Sequence, residues 1–178
     1  MNVRDADPSE YTRVGELTIA AYRALPVDHL WGGYEAEILD VAGRADDTDV
    51  IVAAADGAIV GAVTLVLDRA SPWHEWTEAD EVQFRLLAVD PDARGRGVGE
   101  ALVRECIARA GDRTVLIHTT QWMQAAQRLY ARLGFVARPD RNVPYEVWHE
   151  PARDHDLPAA WTGVPFLAYS WQAASRAG

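Results

Sequence analysis

Leu87-Ala88-Val89-Asp90-Pro91-Asp92-Ala93-Arg94-Gly95-Arg96-Gly97-Val98-Gly99 is the stretch whose reading decides the fold. The run from Glu81 to Val89 reads as a strand, and it stops at Asp90-Pro91 because proline cannot donate to a sheet ladder. Beyond the glycines, Val98, Leu102 and Cys106 recur every four residues, with Val103, Ile107 and Ala110 beside them, which predicts an amphipathic helix. The unit is strand, glycine loop, helix. Alternate glycines permit close backbone approach by a ligand. The helix start offers unpaired N–H groups and the positive end of the helix dipole. Arg94 and Arg96 add fixed positive charge, so the loop reads as an anion cradle of the phosphate-binding kind. A dinucleotide fingerprint would need glycine where Glu100 or Leu102 stands, and no Gly-Lys-Ser/Thr of a Walker loop is present.

Working outward, Asp56-Gly57 between Val50–Ala54 and Ile59–Leu67 predicts a β-hairpin. Upstream, a short strand near Val3 is followed by Asp7-Pro8 as the start of a helix reaching about Leu25, and a second helix is expected over Asp28 to about Arg44. Ala70 to Ala79, with Pro72, Trp73 and Trp76, reads as a loop. Downstream come a strand over Thr114–His118, a helix over Met123–Leu133 closed by Gly134, and strands at Phe135–Ala137 and Phe166–Trp171. The proline-bearing stretch between those last two reads as mostly loop. The order implies an α/β (α+β) chain, with residues 1–178 forming a single domain.

Composition narrows the function classes. Of 178 residues, 49% are apolar and 25% charged, which suits a packed core rather than disorder. The net charge of −10 disfavours a nucleic-acid partner. One cysteine, Cys106, excludes an internal disulfide framework, and its place on the apolar helix face reads as core. No leader or membrane-length apolar run is visible, so a soluble cytoplasmic protein with no membrane partner is expected. His149 and His155 stand in no recognised ligand spacing, and no metal is expected.

The pattern Arg-x-x-Gly-x-Gly over Arg94–Gly99, directly behind the strand, resembles motif A of the GNAT superfamily of N-acetyltransferases. The segment Leu129-Tyr130-Ala131-Arg132-Leu133-Gly134-Phe135 resembles that family's second signature, in order and at the family's usual separation. The resemblance, carried by residues 50 to 136, implies a mixed, mostly antiparallel central sheet flanked by helices, splayed at an acetyl-CoA site. It implies that the backbone of Leu87, Ala88 and Val89 pairs with the pantetheine arm. The amides of Arg94, Gly95, Arg96, Gly97, Val98 and Gly99 would hold the pyrophosphate, and the amide near Val89 the developing oxyanion. Met123 stands where some members carry asparagine and can offer only apolar contact.

Acetyl transfer to an amine needs a neutral nitrogen and a proton for the departing thiolate. The resemblance gives the second role to Tyr130, a hydroxyl near 10 facing a thiol near 8.5. For the base, strand alternation places Glu81, Gln83, Arg85, Leu87 and Val89 on one face and Val82, Phe84, Leu86 and Ala88 on the other. Gln83 occupies the position where many members place glutamate but cannot accept a proton, so Glu81 is the substitute candidate, with His74 and His118 behind it. Gln83 also keeps open a non-catalytic acyl-CoA-binding module. Trp31, Tyr34, Trp73 and Trp76, with acidic neighbours, suit a cationic amine on a small molecule or peptide. Similar proteins are frequently homodimers, which leaves a homodimer open here.

Overall fold

The computed structural model describes residues 1–25, 34–78, 80–144 and 165–173. Trp31, His149 and His155 lie outside the described residues. Among these residues eight strands form one sheet: β1 (Asn2–Asp5), β2 (Asp49–Ala55), β3 (Ala58–Val66), β4 (Glu81–Val89), β5 (Thr114–Thr119), β6 (Val136–Ala137), β7 (Val143–Pro144) and β8 (Pro165–Trp171). Their order is β1-β2-β3-β4-β5-β8-β6, with β7 also on β8. Every pairing is antiparallel except β4 with β5, as the expected mixed, mostly antiparallel sheet requires.

Helices cover both faces. On one lie α1 (Tyr11–Arg23), α2 (Tyr34–Leu39) and α3 (Val41–Ala45); Val14, Leu17 and Val41 pack there on Val50, Val52, Ala62 and Ala88. On the other, α4 (Val98–Ala110) and α5 (Gln124–Arg132) seat Leu102, Val103, Cys106 and Leu129 against Ile51, Val63, Val82 and Phe84. Cys106 is core, as its helical position predicts, and burial pushes its thiol far up.

Local signals explain the elements. Asp7 accepts from the Ser9 amide and Glu10 reaches back to the Asp7 amide, a capping box that starts a short 3-10 turn and then α1. Asp56 and Gly57 both take positive φ, the turn that an Asp-Gly hairpin needs. Gly134, at φ 88°, closes α5. The expected single helix over Asp28–Arg44 is corrected. Its described part is two short helices that break at Asp40, whose side chain leaves the helical path to accept from the Gly43 amide and start α3.

Regular alternation along β4 is also corrected. Gly61 pairs with Val89 and Ala62 with Ala88, but Thr64 pairs with Arg85, so Leu86 and Leu87 together stand opposite Val63. This is a β-bulge. Leu86 takes φ 55°, a left-handed conformation costing about 1–2 kcal/mol in a residue with a Cβ. Its side chain is swung onto the α1/α2 face against Ile19 and Ile38. Beyond the bulge the faces exchange: Leu87 and Val89 lie with Val82 and Phe84, and Ala88 lies on the α1 side.

Candidate active site

Only Glu81–Gln83 of β4 pairs with β5, against Thr114–Leu116. Past that point β4 follows β3 to Val89, while β5 follows β8 to Thr119. The two strands therefore part, and among the described residues the β4 edge carrying Leu87, Ala88 and Val89 has no neighbouring strand on that side. An unpaired strand edge beside a cleft can accept an extended amide-bearing chain as an added strand.

The cleft leads to the glycine loop. Gly95 and Gly97 take φ 75° and 80°, and a methyl group added at either would meet no atom within 4 Å. The space over the loop is open and the backbone conformation demands glycine. Gly97 is the N-cap of α4 and supplies no capping side chain, so the first amides of the helix lack the partner that serine or aspartate would give. Gly99 differs: it lies in the first turn, where a Cβ would press on Leu129 at 3.3 Å. Arg94 and Arg96 are both exposed; Arg94 reaches the Ala21 carbonyl and Arg96 stands 3.9 Å from Asp56. Glu100, the acidic residue of that first turn, is drawn aside by Arg104 and Arg132, whose hydrogen bonds lower its pKa. The donors of the loop thus suit a pyrophosphate without a facing free carboxylate.

Tyr130 is buried on the α4/α5 face in an aromatic cluster, 5.5 Å from Phe135, 5.9 Å from Phe84 and 6.2 Å from Tyr169, ring to ring. Burial pushes its hydroxyl well above the ordinary tyrosine range, higher than the value its sequence suggests. Met123 precedes α5, and its sulfur accepts from the Thr119 hydroxyl at 3.5 Å.

The candidate bases are committed elsewhere. Glu81 is buried and bound by Arg141 through both guanidinium nitrogens, at 3.1 and 2.9 Å, and accepts from the Glu78 amide at 2.7 Å. It holds Glu78 and, through Arg141, the Trp76 carbonyl. Gln83 donates to the Trp73 carbonyl at 2.6 Å. His118 contacts the Arg141 carbonyl at 3.1 Å, and burial lowers its pKa to about 4, so it is neutral near pH 7. His74 meets the Thr77 hydroxyl and is also lowered by burial.

Sequence reasoning missed the group at the centre of the α2 face. The Arg85 guanidinium pairs with Glu75 at 3.1 Å and Glu37 at 3.2 Å, reaches the Trp73 carbonyl at 3.4 Å, and lies 5.3 Å over the Trp73 ring. It also hydrogen-bonds Tyr34, the first residue of α2. Trp76 packs elsewhere, edge-on to His118 at 5.7 Å. Of the four aromatics expected at the acceptor end, Tyr34 and Trp73 are brought together, Trp76 lies apart, and Trp31 is outside the described residues. An arginine amid Phe84, Leu86 and Leu87 was the signal available in the sequence, since a charge inside an apolar strand must find a partner.

Comparison with known proteins gives the following relatives. A family model for the acetyltransferase (GNAT) domain matches residues 46–137. A mycothiol acetyltransferase of Cellulomonas flavigena is 33% identical over 104 residues, covering 56% of this chain and 30% of that protein, so the chain spans under a third of that relative's length. Among solved structures, histone acetyltransferase HPA2 and related acetyltransferase from Corynebacterium glutamicum is 25% identical with TM-score 0.68, over 99% of this chain and 98% of that one. The structure of yncA from Salmonella typhimurium with its cofactor acetyl-CoA shares the fold at 17% identity and TM-score 0.65, over 100% and 96% of the two chains.

Proposed function

Because the chain belongs to the GNAT acetyltransferase family, we propose that it transfers the acetyl group of acetyl-CoA to a primary amine of a small molecule or peptide. The observation that carries this reading is the β4–β5 cleft running into the uncapped start of α4 at Gly97. In this reading Leu87–Val89 pairs with the pantetheine arm and the amides from Arg94 to Gly99 hold the pyrophosphate. Met123 lines the cleft with apolar contact. The strained backbone at Leu86 turns the amides near the bulge toward the thioester carbonyl, where the developing oxyanion is stabilised.

Tyr130 supplies the proton to the departing sulfur. Its raised pKa keeps the hydroxyl protonated at working pH, and a thiolate formed in the same apolar surroundings is raised as well, which narrows the gap between them. The acceptor approaches from the α2 face, past Tyr34 and Trp73. The same reading takes residues 1–178 as one domain, needs no metal and assigns it to the cytoplasm.

Calorimetric titration with acetyl-CoA, with NAD and ATP as controls, tests the first half. Free-thiol release against spermidine, kanamycin, free amino acids and a lysine-bearing peptide tests the second. Absence of acetyl-CoA binding overturns the reading. Binding with no thiol release for any amine favours the non-catalytic acyl-CoA module that Gln83 left open.

A further inference from the structure

We propose that Glu37 of α2 receives the proton from the acceptor ammonium, with Arg85 as the positioning residue that holds its carboxylate beside the Leu86 bulge. The inference rests on the acetyltransferase reading and deepens it by filling the role that Gln83 cannot.

Three observations place Glu37 there. Its neighbour in sequence, Ile38, is fully buried against Leu86, which fixes α2 over the bulge. Its carboxylate meets Arg85, the residue immediately before the bulge, at 3.2 Å. Its side chain is 38% exposed while Arg85 is 8% exposed, so the pair presents the carboxylate, not the guanidinium, to an incoming ligand. The other candidate bases named from the sequence are spent on the protein: Glu81 on Arg141, Gln83 on Trp73, His118 on the Arg141 carbonyl and His74 on the Thr77 hydroxyl.

The local charge is right for an ammonium. Glu37 and Glu75 share the buried Arg85 guanidinium, so two carboxylates stand at the surface of the pair, and the Trp73 ring adds a π-face. Facing Glu37 from the surrounding elements are Arg85 of β4, Glu75 of the loop, Arg44 of α3, and Tyr34 of its own helix. Desolvation is the largest influence on Glu37 and raises its pKa, with Glu75 acting in the same direction and Arg85 and Arg44 opposing. A carboxyl raised toward neutrality is a better-matched acceptor for an ammonium proton than an ordinary one. Tyr130 lies on the opposite face of the sheet, so one proton leaves the amine on the α2 side while the thiolate is protonated from the α5 side.

The step balances. Glu37 takes one proton from the ammonium, and the freed nitrogen attacks the thioester carbonyl, forming the C–N bond. The C–S bond then breaks with its electron pair on sulfur. The sulfur takes a proton from Tyr130, the second proton of the nitrogen restores Tyr130, and Glu37 releases its proton to solvent.

The test compares Glu37→Gln, Glu37→Asp and the control Glu35→Gln, using the best amine of the panel above. The expected result for Glu37→Gln at pH 6.5 is a kcat/KM about 10²–10³-fold below wild type. Acetyl-CoA affinity should stay within twofold. The deficit should shrink with rising pH toward the amine's own pKa, where solvent supplies the neutral amine. Glu37→Asp should keep a carboxylate-dependent profile at an intermediate rate, and Glu35→Gln should match wild type. A deficit that does not change with pH means a merely structural role and overturns the assignment, as does Glu37→Gln within threefold of wild type. If wild type itself binds acetyl-CoA but turns over no amine, the transferase reading falls and this assignment with it; if wild type turns over and Glu37→Gln behaves the same, only the assignment falls.

Discussion

At Gly97 two demands meet in one backbone: a φ of 80° that a Cβ resists, and an open approach to the first amides of α4. Gly97→Glu should therefore abolish calorimetric acetyl-CoA binding, since it adds both a side chain and a negative charge on the phosphate path. Retained affinity would mean that the loop holds something else. At Tyr130 the demand is chemical. Tyr130→Phe keeps the ring against Phe84, Phe135 and Tyr169 but removes the proton, so kcat should fall about 10²-fold while acetyl-CoA affinity stays near wild type. A stopped-flow or steady-state thiol assay decides it; an unchanged kcat would reduce Tyr130 to a packing residue.

At the scale of elements, β5 carries a titratable group that burial keeps neutral. His118 has a folded-state pKa near 4 against an ordinary value near 6.5, so the unfolded chain binds the proton first as pH falls. Its contribution is complete above pH 6.5 and is lost through the window down to about 4, a cost of about 2–3 kcal/mol across that interval. Urea melts of wild type and His118→Gln from pH 7.5 to 4 should converge as pH falls, because only wild type pays that protonation cost; parallel curves would refute the burial argument. The elements differed in how openly the sequence declared them. Asp56-Gly57, the alternate glycines before Val98 and Gly134 are local rules written in one or two residues, and the corresponding turns stand where those residues put them. The bulge at Leu86 has no local signature: leucine is an ordinary strand residue, and the partners its side chain meets there, Ile19 and Ile38 of α1 and α2, are distant in sequence. The role of Glu81 was hidden for a like reason, since Arg141 lies 60 residues away in sequence. Asp40 could have been read as a cap, but the apolar spacing across it was helical on both sides.

For the whole molecule, the cleft is a discontinuity in the sheet. One half is β1 to β4 and the other β5 to β8, joined across the sheet, among the described residues, by only Glu81–Gln83 against Thr114–Leu116. The chain itself bridges them through α4, whose first turn is the proposed anion cradle and whose apolar face packs on both β3 and β5 residues. A ligand that pairs with the β4 edge and is gripped at Gly97 therefore adds contacts at the seam where β4 and β5 part, and it binds the native state alone. Mass action then fixes the size of the effect. Acetyl-CoA at about a hundred times its dissociation constant stabilises by about 2.7 kcal/mol. For a chain of 178 residues, each kcal/mol moves the melting midpoint by about 2–4 °C. The midpoint should rise by about 5–10 °C in a calorimetric or fluorescence melt, NAD at the same concentration should leave it unchanged, and Gly97→Glu should show no rise with either. An equal rise in Gly97→Glu would place the ligand away from α4. No rise in wild type at saturating acetyl-CoA would mean that the seam is held shut in solution and does not admit the ligand, whatever its shape suggests.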